Sequence, residues 1–162
     1  MNAGWLAMML GLVQACPSQS RRAAARLEGR YDVGQPEGWL ALQAGGADWA
    51  WSKPEMGATI YTDSNCLSRF HDGRLEDLAS HLTAGIASGP PIRQEQLWLD
   101  DRGGLLTVYI GQVDGVAVQL AGVVLKKDRC VYDMLYFAPI GVFDDGWDDF
   151  VGVYSGFKTH RR

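Results

Sequence analysis

The sequence predicts an α+β domain, a mostly antiparallel sheet covered by two amphipathic helices. Three observations predict it. A run of alternating segments with short turns fills residues 94–137. One helical stripe follows Leu75, and a second, aromatic stripe follows Trp147.

The elements follow in chain order. Trp39-Leu40-Ala41-Leu42 reads as a strand and Gly45-Gly46 as its turn. Asp48–Lys53 alternates as the hairpin partner, which places Trp49 and Trp51 on one face. Gly57–Thr62 is a third strand, closed by the turn-forming residues Asp63-Ser64-Asn65. Leu75, Leu78, Ala79, Leu82 and Ile86 then fall at helical spacing. Asp72 or Gly73 serves as the cap region, and Gly89-Pro90-Pro91 as the stop. Strands follow at Gln94–Leu99, Leu105–Gln112, Val116–Lys126 and Cys130–Phe137. The turns between them are Asp100–Gly104, Asp114-Gly115 and Lys127-Asp128, short enough to demand antiparallel pairing. Trp147, Phe150, Val151, Tyr154 and Phe157 form the stripe of the closing helix.

Composition excludes several function classes. The chain has 162 residues, 47% hydrophobic and 21% charged, which is the make-up of one globular domain. Fifteen Lys and Arg against 19 Asp and Glu leave a net charge of −4, so there is no basic excess for nucleic acid. No apolar run reaches the roughly 18 residues of a spanning helix. G-x-G-x-x-G, Walker-type, H-E-x-x-H and C-x-x-C motifs are absent, so neither a cofactor nor a metal is expected.

Residues 1–15 read as an export signal. An apolar stretch from Trp5 to Val13 precedes Val13-Gln14-Ala15-Cys16, which resembles the lipobox of bacterial lipoproteins. The resemblance implies a lipidated Cys16, cleavage before it, and a membrane attachment that two or three acyl chains make stable. Residues 16–37, with four Arg, three consecutive Ala and two Pro, then read as a tether, and residues 38–160 as a single domain. Pro17 stands where inner-membrane retention favours Asp, so the expected site is the outer membrane, facing the periplasm.

Lipidation would leave two of the three cysteines, Cys66 and Cys130. In an exported chain these are candidates for a disulfide; the alternative is two separate buried thiols. A bridge would close a loop of roughly 65 residues and contribute about 4 kcal/mol on the chain-entropy account.

The segment Phe150-Val151-Gly152-Val153-Tyr154-Ser155-Gly156-Phe157 resembles the closing helix of the Mog1/PsbP-like fold, and Leu105–Phe137 resembles its central meander. The resemblance covers about residues 39–160. It implies a layered α/β/α domain and a role in binding or assembly rather than catalysis. It carries no functional residue over, because no signature motif matches.

The remaining chemistry is sparse. Ser64 or Ser68 with His71 and Asp72 would make a hydrolase set, but no nucleophile elbow or oxyanion hole accompanies them. Asp144, Asp145, Asp148 and Asp149 read as acids that cap a helix N-terminus and complement its dipole before they read as calcium ligands. His160 falls in the basic tail Lys158-Thr159-His160-Arg161-Arg162, which reads as disordered. Six tryptophans are the most suggestive feature. Trp49, Trp51 and Trp98 would mark a partner-binding surface if exposed, and a core if buried. The expected function is therefore that of a non-enzymatic, membrane-anchored envelope lipoprotein with a protein partner. The alternative is a periplasmic binder of small molecules or glycans through surface aromatics.

Overall fold

A computed structural model describes residues 31–66 and 73–160. Within them lie nine strands: β1 (Tyr31–Asp32), β2 (Leu40–Leu42), β3 (Trp49–Lys53), β4 (Ala58–Asn65), β5 (Arg93–Leu99), β6 (Arg102–Val113), β7 (Val116–Lys127), β8 (Cys130–Pro139) and β9 (Lys158–Thr159). Two α-helices accompany them, α1 (Leu75–Leu82) and α2 (Trp147–Ser155). The main sheet has seven antiparallel strands in the order β2-β3-β4-β8-β7-β6-β5, and β1 pairs with β9 beside it. The mostly antiparallel α+β architecture is the one the sequence predicts.

Side-chain alternation divides the sheet into two faces. Ile60, Leu106, Val123, Met134 and Tyr136 point to one face, where α2 adds Phe150 and Val153 and the N-terminal segment adds Tyr31 and Val33. Leu105, Val124 and Val131 point to the other face, where α1 closes over them with Ala79. Each helix is thus an apolar stripe buried against one side of the sheet.

The turns explain the register. Asp100 and Asp101 (φ 44° and 61°), Asp114 and Gly115 (50° and 79°), and Asp128 and Arg129 (50° and 67°) are three two-residue hairpins with both residues left-handed. That geometry matches the twist of the flanking strands, and Asp and Gly tolerate it.

Five expectations need correction. The folded body reaches back to Tyr31, inside the stretch read as tether: Tyr31 is 2% exposed and paired with Thr159, while Val33 joins the core. Asp63-Ser64-Asn65 is not a turn but the end of β4, because Asp133, Tyr132 and Val131 of β8 face it. Helix α1 stops at Leu82 rather than at the proline pair. Thr83 caps it, Gly85 turns at φ 84°, and Ile86 leaves the stripe to pack with Tyr109, Val118 and Leu120. The start of α2 has no side-chain cap. His160 belongs to the folded body, with Nε2 2.7 Å from Asp32 Oδ2. The signal segment 1–15, Cys16, and Ser68, His71 and Asp72 lie outside the described residues.

Candidate functional site

The tryptophans divide by strand position. Trp49 and Trp51 do share a face of β3, but it is the face turned to α2. Trp51 is 4% exposed, and Trp49 packs edge-on against Tyr31 with ring centroids 4.8 Å apart. The two fill the interior and form no surface patch, which corrects their candidacy as partner-binding residues. Trp98 is 74% exposed on β5, the sheet's edge. It stands opposite Gly103, whose missing side chain leaves room for the indole.

Beside the other end of β5 a cleft of about 140 Å3 opens between the sheet and the start of α2. Its walls are Ile92, Val108, Phe143 and Trp147; Arg93, Gln119 and Asp144 supply its polar atoms. The Arg93 guanidinium lies 4.9 Å from the centre of the Trp147 ring, and its Nε donates to Glu95 Oε1 at 2.7 Å. That bond holds the Glu95 carboxyl below the ordinary range and Arg93 above its own. Residues of β5, β6, β7 and α2 meet here, and no local motif brings them together. An alternating strand and a helix N-terminus were the only signals in the sequence.

The acidic cluster has three roles. Asp149 accepts from Trp39 Nε1 at 2.8 Å and lies 3.6 Å from Lys53 Nζ, so it ties the N-terminal segment to α2. Asp144 lines the cleft, and Asp145 and Asp148 face water. Among the described residues no three His, Cys, Asp or Glu converge as a metal-ligand set.

On the opposite face Asp63 of β4 stands directly across from Asp133 of β8. Burial pushes the Asp133 carboxyl up to about 7, and the Asp63 charge adds to it. Burial and the same two carboxylates raise neighbouring Tyr61. Ser64, the hydrolase candidate within the described residues, donates to Asp48 Oδ2 at 2.7 Å and belongs to the network that fixes Tyr31.

At the far end of the sheet Cys66 and Cys130 form a disulfide with Cα atoms 4.0 Å apart. They continue the β4–β8 register one step beyond Asn65 and Val131. The bond therefore joins two directly facing positions.

No family model matches the chain, and no curated protein matches its sequence. Solved structures do. Cyanobacterial PsbP (CyanoP) from Synechocystis sp. PCC 6803 aligns with a TM-score of 0.57 at 14% identity, over 80% of this chain and 86% of that one. The fold is PsbP-like. LpqN, involved in cell envelope biogenesis of Mycobacterium tuberculosis, shares it with a TM-score of 0.56 at 11% identity, over 83% and 86% of the two chains. So does a protein of unknown function, PA94, from Pseudomonas aeruginosa, with a TM-score of 0.53 at 11% identity, over 83% and 86%. At such identities the PsbP-like likeness describes the fold and transfers no residue role.

Proposed function

We propose that this chain is an exported, lipid-anchored module of the cell envelope that acts by binding a protein partner and not by catalysis. The observation that carries the reading is the Cys66–Cys130 bond. Structural disulfides belong to oxidising compartments. This one consumes two of the chain's three cysteines and leaves Cys16 alone in Val13-Gln14-Ala15-Cys16. The link of the fold neighbour LpqN to envelope biogenesis agrees with it. Pro17 favours the outer membrane over the inner.

Two further features support binding over chemistry. His81 is exposed on α1, His160 sits against Asp32, and the Ser64 hydroxyl donates to Asp48. The cleft of about 140 Å3 is smaller than the ~300 Å3 at which small-molecule sites begin, which favours a protein surface over the small-molecule alternative.

Expression in a Gram-negative host, followed by fractionation and radiolabelled palmitate, tests the reading. The wild type should enter the membrane fraction and take up label; Cys16→Ala should do neither. A soluble, unlabelled wild type contradicts it.

A further inference from the structure

The body has two unlike ends. The described chain enters at Tyr31, whose ring lies 4.8 Å from Trp49 and 4.9 Å from Tyr132, at the end of the sheet that carries the disulfide. The opposite end is where β4 and β7 begin and β3, β6 and β8 stop. Of the large apolar side chains exposed among the described residues, Val116 (55%) and Ile140 (45%) lie there, and Ile92 (60%) edges the neighbouring cleft. The cleft has room for about one leucine- or phenylalanine-sized side chain.

Charge at this end is one-sided. Glu55, Asp114, Asp144, Asp145 and Asp148 are exposed, and none forms an ion pair with a described residue. The cations nearby are committed: Lys53 lies 3.6 Å from Asp149, and Arg93 is bound to Glu95. A recess walled by Ile92, Val108, Phe143 and Trp147, with the Asp144 carboxylate in its lining and Asp145 and Asp148 close by in sequence, selects a guest that is apolar at its centre and positive at its rim.

We propose that this end is a docking surface for a protein segment in which one large apolar side chain is flanked by Lys or Arg. The apolar side chain enters between Ile92, Phe143 and Trp147, and its cationic neighbours meet Asp144, Asp145 and Asp148. The inference deepens the protein-binding part of the proposed function. It places the contact away from the end where the chain enters, and it does not depend on the lipid.

Titration of the isotope-labelled full chain with acetylated peptide amides tests it. The probes are Lys-Lys-Phe-Lys-Lys, Lys-Lys-Ser-Lys-Lys and Glu-Glu-Phe-Glu-Glu. The first should bind and shift the amide resonances of Ile92, Val108, Phe143 and Trp147. Replacing Phe by Ser should weaken binding about tenfold or more, the loss expected for one apolar side chain. The acidic peptide should not bind. The double variant Asp144→Asn/Asp145→Asn, which leaves the core untouched, should lower affinity several-fold and flatten its salt dependence. Equal binding of the three peptides, no binding at millimolar concentration, or shifts confined to Trp98 and the β5 edge would overturn the proposal. An unlipidated Cys16 would count against the anchor alone and leave this result intact.

Discussion

Cys66 and Cys130 face each other across β4 and β8, one position past Asn65 and Val131, with Cα atoms 4.0 Å apart. The two cysteines are 64 residues apart in sequence, at the ends of strands that are adjacent in the middle of the sheet. The bond therefore removes a large share of the unfolded chain's freedom, about 4 kcal/mol on the chain-entropy account. Reduction, or the double replacement Cys66→Ser/Cys130→Ser, should lower Tm by roughly 10 °C. Thermal unfolding with and without reductant checks this; coincident curves would remove the bridge from the stability of the fold.

The tryptophans should separate by role. Trp51 is buried between the sheet and α2, and Trp51→Ala should cost about 3–5 kcal/mol in denaturant unfolding. Trp98 is largely in water and only covers Gly103, so Trp98→Ala should cost under about 1 kcal/mol. Similar losses at the two sites would contradict the assignment of faces.

Gly34 is where the N-terminal segment crosses α2. Its N–H donates to Val153 O at 3.0 Å, and a Cβ there would sit 2.1 Å from Gly152 O. Gly34→Ala must push the segment off the helix, at a cost of about 1–3 kcal/mol. Equilibrium unfolding measures it. A neutral result would show that the segment at 31–34 is not held as described.

Two carboxylates should give opposite pH dependence. Asp133 ionises near 7 in the folded chain against an ordinary 3.8, because burial opposes its charge. The folded state therefore binds the extra proton. Its contribution is present below about 4 and is lost as pH rises through 7. Asp100 is the reverse. Lys127 Nζ and the backbone and side chain of Thr159 bond its carboxylate and hold it at about 2, so its contribution is present above about 4 and lost as pH falls toward 2. Stability measured from pH 2 to 8 should lose its upper slope in Asp133→Asn and its lower slope in Asp100→Asn. An unchanged profile in either variant refutes that assignment.

What the sequence revealed and what it hid have physical reasons. The long meander from β5 to β8 is legible because its strands alternate and its turns carry Asp and Gly where left-handed backbone is needed. The β1–β9 pair is hidden because two residues cannot show a period. Asp63-Ser64-Asn65 has turn chemistry locally, yet the facing strand and the adjacent disulfide hold it extended. Spacing placed Trp49 and Trp51 on a common face, but only the placement of α2 decides that the face is inside. The cleft joins Ile92 and Arg93 to Phe143 and Trp147, about 50 positions away, a meeting that no local pattern encodes.

The most direct test of the account is the intact mass of the protein extracted from the membranes of a Gram-negative host. The account predicts a chain that begins at Cys16, carries a diacylglyceryl group there, and holds Cys66 and Cys130 oxidised. A soluble chain that retains Met1, with Cys16 open to alkylation, would contradict it.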